Sequence, residues 1–351
     1  MLETGLRPAA QNIALSRALL EARRAHEVPS TLRFLRHAPA VLLGAQQSAE
    51  QELDLAYCTA HAVPIQRRIS AGRAACVNPA QLGWELALHA GDCAGNASAL
   101  IKRICHAAAT ALGALGLDAR WRAPGDIEIE GRTVGAVSAT ADGNAVLFQG
   151  TISITGDHEH AARVLRTPGS GALCGRSSEL LKERMGGIAD DAPRAADPAR
   201  LKRLLLAAFE SDFDAEFQES DLTLTEQARF RTALMEIETP DWLELVRRPL
   251  AEAPLCEATG DSAAGALQVA LIYDRALHRI RQVWFICDGL AAPRRTMLDL
   301  EALLAGTSIE RVEPNVHGFF TGRDAPLPLQ PHDLIGVLRQ ALKFPLVAQH
   351  P

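Results

Sequence analysis

DIEIEGRTVGAVSA, residues 126–139, alternates acidic and apolar residues and then turns at Gly131, a pattern that predicts a β-hairpin. A second turn, Asp142-Gly143-Asn144, leads into the apolar run AVLFQGTISI at 145–154 and predicts a further strand. Strands joined by such short turns run antiparallel. This stretch therefore predicts neighbouring antiparallel strands.

Helical and strand patterns surround this stretch. The spacing of apolar residues predicts helices over 11–24, 49–61, 97–117, 177–186 and 198–213, and strands over 31–37, 40–45, 63–70 and 82–90. The Pro/Ala/Asp-rich run 189–198 predicts a surface loop, and 223–250 predicts a linker that contains one helix.

The last hundred residues have a pattern of their own. Two strands, 267–274 and 278–288, are followed by two helices, 297–306 and 332–342. The sequence thus predicts an α/β (α+β) protein whose mixed, largely antiparallel sheet carries packed helices, with a small α+β accessory domain after it. We expect the first domain to cover 1–245 and the accessory domain 262–351.

Composition excludes several classes of protein. The chain has 36 basic and 42 acidic residues and a net charge of -6, which argues against a nucleic-acid binder. It has no apolar run of membrane-spanning length and no signal-like N-terminus, so a cytoplasmic protein is expected. Its seven cysteines form no CxxC pair and no metal-like spacing, and we interpret them as reduced thiols.

The run RRISAGRAACVNP, residues 67–79, allows two interpretations. Arginines around a small-residue loop can grip a phosphate or carboxylate. The same run could also be a strand–turn–strand with a solvated basic rim. Neighbouring strand residues alternate, so Arg67 is expected to face away from Arg68.

Four motifs in order carry a resemblance to a known family. They are TLRFLRHAPAVLLGAQQ (31–47), RRISAGRAACVNP (67–79), DIEIEGRTV (126–134) and LFQGTISI (147–154). Together they resemble the lipoate–protein ligase A family, whose catalytic domain is shared with biotin ligases and octanoyltransferases. The C-terminal segment, including Cys287-Asp288-Gly289, resembles the accessory domain of the longer ligases.

The resemblance implies a chemistry. Members of this family use ATP to form a lipoyl-adenylate and pass the acyl group to a lysine of a lipoyl domain or small carrier protein. An active protein would use ATP with lipoate or octanoate, and Mg²⁺ could accompany the nucleotide. The positions that match substrate- or adenylate-binding residues of the family are Gln47, Arg68, Ser70, Gly72, Arg73, Cys76, Asp126, Gly150 and Thr151.

Several positions depart from the family pattern, and Thr133 is the most consequential. It occupies the place of the catalytic lysine, and Arg132 would face the opposite side unless a β-bulge re-aimed it. Arg73, in place of a glycine, favours the octanoyltransferase branch. Cys76 is expected to be a buried thiol lining the pocket, with a nucleophile as the alternative. Family residues are also replaced at Ala45, Ala71, Val77, Asn78, Gly125, Phe148 and Gln149.

Two functions remain open on the sequence. The first is a lipoate–protein ligase or lipoyl/octanoyl transferase whose catalysis is weakened or lost because residue 133 is threonine. The second is a non-catalytic relative that binds lipoate or a lipoyl domain and serves assembly or regulation.

Overall fold

The computed structural model describes residues 1–70, 72–92, 97–122, 125–166, 185–193, 197–245, 255–262, 265–287, 290–291, 294–321 and 329–343. The strands are β1 (Leu2–Arg7), β2 (Thr31–His37), β3 (Ala40–Leu43), β4 (Ile65–Arg67), β5 (Ala75–Val77), β6 (Gln81–His89), β7 (Ala119–Arg122), β8 (Asp126–Ile129), β9 (Arg132–Asp142), β10 (Ala145–Ser153), β11 (Leu255–Ser262), β12 (Gly265–Asp274), β13 (Arg279–Cys287) and β14 (Leu290–Ala291). The helices are α1 (Ala9–Arg24), α2 (Ala49–Glu52), α3 (Leu55–Ala60), α4 (Ala97–Gly113), α5 (His158–Val164), α6 (Ile188–Asp191), α7 (Pro198–Phe213), α8 (Leu224–Ile237), α9 (Pro240–Glu244), α10 (Arg294–Leu304), α11 (Ile309–Thr321) and α12 (Pro331–Lys343).

The main sheet has the strand order β1-β2-β6-β10-β9-β8-β7, and β14 adds beside β9. Only the β1–β2 and β14–β9 pairs of this sheet are parallel among the described strands. Helices pack on the sheet from both sides. The predicted mixed, largely antiparallel sheet with packed helices is therefore confirmed.

The predicted run of strands lies at the centre of this sheet as β8, β9 and β10. Glu130 and Gly131 join β8 to β9 with φ angles of 50° and 80°, and Gly143 in the next turn has a φ of 58°. Two consecutive positive φ angles define the tight hairpin turn whose twist matches paired strands. The glycines noted in the sequence thus set the order of these strands.

The two faces of the sheet bury different cores. On one face α4 and α7 cover a large apolar cluster that includes Trp84, Phe148 and Phe209. On the other face α1 packs across β6 and β10 through Leu19 and Leu20. The predicted helix 97–117 ends at Gly113, after which Leu115 and Leu117 pack into the large cluster.

A second sheet, in the order β4-β3-β5, holds the 67–79 segment. The predicted strand 63–70 is shorter in the structure, because the chain leaves β4 at Arg67. The predicted helix 49–61 is two helices that break at Leu53, which forms a bridge with Leu165. Asp54 then caps α3 by accepting a hydrogen bond from the Tyr57 amide at 2.9 Å.

The described part of 223–250 is not a linker. A capping box between Thr223 and Glu226 starts α8, which packs along α1. Helix α9 follows and buries Trp242, whose Nε1 donates to the carbonyl oxygen of Arg67 at 2.9 Å. The predicted helix is present as α8, whereas the linker part of the prediction was wrong, because a narrow apolar stripe that includes Ala233 and Ile237 packs into the core.

The C-terminal part forms a core of its own. Strands β11, β12 and β13 make an antiparallel sheet, and α10, α11 and α12 contribute to the same apolar cluster. The sequence missed β11 and α11; Pro314 lies inside α11, where proline argues against a helix. Most of the predicted helix 177–186 and the Asp288-Gly289 step lie outside the described residues.

Candidate functional site

The loop after β4 folds down onto the turn that follows β3. The Ala45 amide donates to the carbonyl oxygen of Ser70 at 2.9 Å. A Cβ placed on Gly44 would lie 2.0 Å from the carbonyl oxygen of Gly72, so only glycine permits this approach. Gly72 itself has a φ of 100°, in the region that favours glycine. Ala71 lies outside the described residues.

Arg67, the first arginine of the loop motif, is fully buried. Its Nη1 donates to the carbonyl oxygens of Gly44, Ala45 and Gln47 at 3.0, 3.2 and 2.5 Å. Its Nη2 donates to the Leu243 carbonyl oxygen in α9 at 2.7 Å. Arg67 therefore links β4 to the turn after β3 and to α9.

Arg68 and Gln47 support the main chain in this structure. Arg68 donates from Nη1 to the Leu42 carbonyl oxygen at 3.2 Å and from Nη2 to the Arg73 carbonyl oxygen at 2.8 Å. Gln47 is buried, and its Oε1 accepts from the Gly44 amide at 2.8 Å. An anion at the loop would have to compete with carbonyl oxygens for the Arg68 guanidinium. Arg73 is exposed on the rim of the loop.

Beneath the loop, one face of the main sheet forms a floor that includes Ala136 and Ser138 of β9, Thr151 of β10 and Asp126 of β8. Ser138 of β9 donates from Oγ to the Ser70 Oγ at 3.3 Å, which joins floor and loop. Two residues before it, Ala136 lies opposite Thr151 on β10 and opposite Asp126 on β8. Directly opposed residues share a face of a sheet. Ala136 is exposed although its strand is flanked on both sides, so the floor is open at this point.

A β-bulge decides which way Thr133 points. Asp126 lies opposite Ala136, whereas Glu128 lies opposite Thr133, so β9 has one more residue than β8 between these pairs. The extra residue puts Thr133 on the face of Ala136 and Asp126. Arg132 turns to the opposite face. The sequence contained no signal for this bulge, which is a property of the strand pairing.

The side chain of Arg132 lies on the face of the sheet opposite the floor and does not contact the described residues of the floor. Its guanidinium pairs with the carboxylates of Asp190 and Asp191 in α6, at 3.5 and 2.5 Å. The bulge could have re-aimed Arg132 toward the site; the structure shows that it re-aims Thr133 instead.

Arg122 was not singled out in the sequence, yet its guanidinium reaches Thr133. From β7 it donates through Nη2 to Asp126 Oδ2 at 2.6 Å and to Thr133 Oγ1 at 3.2 Å. Nη1 lies 2.7 Å from Glu128 Oε1. The hydrogen bond with Asp126 raises the pKa of Arg122 above its ordinary value, so the group stays charged. The only sequence signal was the alternation of Arg120 and Arg122 in one short strand.

The lysines of the chain are Lys102, Lys182, Lys202 and Lys343. Lys102 lies over the Trp121 ring, 4.8 Å from its centroid, and Lys202 pairs with Glu3 at 2.5 Å. Lys182 and the side chain of Lys343 lie outside the described residues. Neither of the two described lysine side chains reaches the floor.

Cys76 lies in β5 opposite Val41 and is partly buried among apolar side chains. Burial, with a smaller contribution from the nearby Asp157 carboxylate, raises the pKa of the thiol to about 12. The thiol is therefore protonated at neutral pH, whereas a nucleophilic cysteine needs a lowered pKa.

The remaining motif positions lie on β10. A Cβ at Gly150 would lie 2.2 Å from Cζ2 of Trp84, so this glycine makes room for the tryptophan. Gln149 donates from Nε2 to Glu85 Oε1 at 2.6 Å. Glu85 in turn pairs with the buried Arg33 at 2.8 Å. Gln149 lies opposite both Ser138 and Glu85, so this buried network borders the floor on the same face of the sheet.

Across the parts of the chain that the structure describes, no group of three or more His, Cys, Asp or Glu side chains is arranged to hold a metal ion. None of the described helices is both long and apolar enough to cross a membrane.

The fold and the loop-covered floor define the class of the protein. Residues 8–210 match the family model of the Lipoyl protein ligase A/B catalytic domain. The match covers more than half of the chain, and the chain belongs to this family.

Particular relatives agree with this assignment. Lipoate-protein ligase A subunit 1 of Thermoplasma acidophilum is 25% identical over 223 residues, which cover 60% of this chain and 83% of the relative. Octanoyltransferase LipM of Moorella thermoacetica is 25% identical over 266 residues, which cover 70% of this chain and 97% of the relative.

Solved structures share the fold. P. falciparum LipL1, solved in complex with lipoate, superposes with a TM-score of 0.66 at 12% identity and covers 97% of this chain and 98% of that one. The bipartite lipoate protein ligase of T. acidophilum, described with its E2 lipoyl domain, gives a TM-score of 0.62 at 22% identity, covering 71% of this chain and 98% of that one. A lipoate-protein ligase A bound with ATP gives 0.60 at 20% identity and covers 69% of this chain and 96% of that one.

Proposed function

We propose that this protein binds a lipoyl or octanoyl group and handles its attachment to the lysine of a lipoyl domain, with its own transfer chemistry weakened or lost. The observation that carries the proposal is the position of Thr133. The bulge in β9 turns this residue onto the floor beneath the loop, and a neutral hydroxyl stands there.

The chemical reason lies in the charge that develops during acyl transfer. A lysine ammonium on the floor would stabilise negative charge on the carbonyl and phosphate oxygens. A threonine hydroxyl can donate one hydrogen bond but carries no charge. Loss of one such stabilising group typically lowers a rate constant by about a hundred- to a thousandfold.

The ligands and the partner follow from the relatives. One similar structure was solved with lipoate, another with ATP, and a third was described with an E2 lipoyl domain. For this chain we propose lipoate or octanoate as the acyl ligand and a lipoyl domain as the partner. ATP would be needed if the protein acts as a ligase, and Ser70, Gly72 and Arg73 are the loop residues that would border its phosphates. Mg²⁺ would enter with the nucleotide.

A non-catalytic binding protein is the second candidate. It is favoured by the Arg68 guanidinium, which donates to two main-chain carbonyl oxygens, and by the high pKa of the Cys76 thiol. Such a protein would keep the acyl-binding floor and serve the assembly or regulation of lipoylated complexes.

We assign residues 1–245 to the catalytic-type domain and 262–351 to an accessory domain. The family match ends at residue 210, and α8 and α9 still pack on the first domain. The apolar cluster of the C-terminal part supports its folding as a separate unit. Retention of an accessory domain is consistent with descent from a full-length ligase.

One experiment separates the two functions. The full-length protein is incubated with ATP, lipoate and an apo lipoyl domain, and the intact mass of the domain is followed. An ATP-dependent gain of one lipoyl group would overturn the non-catalytic candidate. No gain, together with lipoate or lipoyl-domain binding measured by calorimetry, would overturn the ligase. If neither ligand binds, the proposal as a whole fails.

A second variant tests the role given to residue 133. Thr133→Lys should raise the rate of domain modification above that of the wild type if the rest of the site is intact. Ser138→Lys places the same charge on the same strand and face, beside Ser70, and serves as the control for a non-specific effect of a new lysine.

A further inference from the structure

The guanidinium of Arg122, from β7, lies at the end of the floor where Thr133 stands on β9. We infer that Arg122 is a ligand-binding residue that receives the carboxylate of the acyl ligand, or the acyl-adenylate that forms from it and ATP with release of pyrophosphate. This inference rests on the proposed function, because it names the group that holds the charged end of the same acyl ligand.

The side chain of Arg122 crosses β8 to reach the floor. Arg122 lies opposite Asp126 in the β7–β8 pair, and its guanidinium extends to Thr133 on the next strand. The opposite end of the floor is marked by the contact of Ser138 with Ser70. At a rise of about 3.3 Å per residue, the two ends are separated by roughly 13–16 Å of strand. Ala136, small and exposed, lies between them.

The position of Arg122 suits an anion-binding role. Its side chain is 52% exposed, and its guanidinium is held by the carboxylates of Asp126 and Glu128. A guanidinium has five N–H donors. The hydrogen bonds of Arg122 to described residues, Asp126 and Thr133, both come from Nη2, and Nη1 is held near Glu128 as an ion pair. Within the part of the chain that the structure describes, the donors of Nη1 and Nε therefore remain for a ligand.

Other cations near the floor have different contacts. Arg67 is buried under carbonyl oxygens, and Arg132 pairs with carboxylates on the opposite face. Arg68 donates to carbonyl oxygens within the loop region. Of these four arginines, Arg122 alone joins an exposed guanidinium to the floor residue Thr133.

The two anchoring carboxylates have opposing effects on a ligand. They hold the guanidinium in place, and they also repel a negatively charged ligand because like charges lie close together. Glu128 contacts Nη1 of Arg122, whereas Asp126 accepts from Nη2. Removing its charge alone should leave Arg122 anchored by Asp126 and strengthen the binding of an anion.

The test compares two ligands with the same acyl chain. Lipoate carries a carboxylate, and lipoamide carries a neutral amide in its place. Binding of both to the full-length protein is measured by calorimetry for the wild type, Arg122→Ala and Arg122→Gln. Arg122→Gln keeps a hydrogen-bond donor for Asp126 and guards against loss of folding, which circular dichroism monitors in each variant.

We expect the wild type to prefer lipoate over lipoamide. Both Arg122 variants should bind lipoate about ten- to a hundredfold more weakly, the range for a hydrogen bond to a charged group, with lipoamide unchanged. Glu128→Gln should bind lipoate more tightly. In Arg122→Gln, a second change, Thr133→Lys, should restore the preference for lipoate because it returns a cation to the same end of the floor.

Arg120 provides the matched control. It lies on the same strand and face two residues earlier, is 78% exposed, and pairs with Asp118 at 2.7 Å. Arg120→Ala should leave both affinities unchanged.

The outcomes separate this inference from the proposed function. A wild type that binds lipoate, with a preference over lipoamide that survives both Arg122 variants, would overturn the role of Arg122 and leave the proposed function standing. An equal loss for Arg120→Ala would also overturn it, since the effect would then be one of general surface charge. Absence of binding by the wild type to lipoate, octanoate and the lipoyl domain would overturn both.

Discussion

The carbonyl oxygen of Gly72 packs against the Cα of Gly44 so closely that no side chain fits between them. The adjacent hydrogen bond from the Ala45 amide to the Ser70 carbonyl oxygen holds the same two segments together. These two contacts join the loop to the turn, and Ser70 of the same loop contacts Ser138, two residues from Ala136 on the floor.

Gly44→Ala should displace the loop from the turn. The new Cβ would lie 2.0 Å from the Gly72 carbonyl oxygen, and overpacking of this kind typically costs about 1–3 kcal/mol of stability. We expect weaker lipoate binding by calorimetry and a lower midpoint in urea. Gly113→Ala, in α4 with no neighbouring atom within 4 Å, is the control: it should leave lipoate binding unchanged and should not lower the urea midpoint, because alanine favours a helix more than glycine does. Unaltered binding in Gly44→Ala would show that the close approach does not shape the site.

Arg33→Met should strongly destabilise the protein. Arg33 and Glu85 form an ion pair that is excluded from water, and removal of one partner leaves the other charge buried. Such a loss typically lowers the free energy of unfolding by about 3–5 kcal/mol. Chemical denaturation measures it. The double variant Arg33→Met/Glu85→Leu should recover part of the loss, and Arg120→Ala, which breaks an exposed pair, should stay within about 0.5 kcal/mol of the wild type. A single variant as stable as the wild type would contradict this account of the core.

The free energy of unfolding should decrease as the pH is lowered, because of His37. Its Nδ1 lies 3.2 Å from Asn12 Nδ2, so the neutral ring accepts from the amide, and a proton on Nδ1 would remove this bond. Burial, and then the Arg33 charge, lowers the pKa of His37 to about 3. The unfolded chain takes up the proton near pH 6.5 and the folded protein does not, so stability is lost as pH falls from about 6.5 toward 3.

The slope for one proton is about 1.4 kcal/mol per pH unit at most. His37→Gln keeps an acceptor but cannot titrate, and its free energy of unfolding should vary less between pH 6.5 and 4.5 than that of the wild type. His332→Gln removes an exposed histidine and serves as the control. Parallel pH curves for His37→Gln and the wild type would show that this ring does not carry the effect.

Cys76 should react slowly with alkylating reagents. Its thiol pKa is raised to about 12, so the thiolate fraction at pH 8 is roughly one in ten thousand. Iodoacetamide labelling of the native protein, read by peptide mass spectrometry, should reach Cys76 only after unfolding. Cys76→Ser should retain lipoate binding. Rapid labelling of this residue in the native protein would restore the nucleophile interpretation.

Much of the fold could be predicted because its signals are local. The alternation in 126–139 and the turn glycines at 131 and 143 specify neighbouring strands, and the helical spacing in 97–117 locates α4. The strand β1 and the helix α9 were missed, since each is short and is stabilised by partners distant in the sequence.

The site was harder to predict because its geometry depends on pairing. The many main-chain contacts of the buried Arg67 could not be predicted, because they join segments that are distant in the sequence. The bulge in β9 that accompanies the direction of Thr133 could not be predicted, because one extra residue in a strand leaves no pattern in the local sequence. Arg122 reaches this position from two strands away, and no spacing along the chain reveals such a contact.

The two-residue strand β14 has a consequence for how the protein is made. Leu290 and Ala291 pair with Ala139 and Thr140, directly after the floor residue Ser138. Domains generally fold as units as the chain emerges from the ribosome, the N-terminal part first. Ala139 and Thr140 of β9 therefore lack their β14 partner until nearly the whole chain has been synthesised. A chain that ends before residue 290 would leave the backbone hydrogen-bonding groups on this side of β9 without that partner.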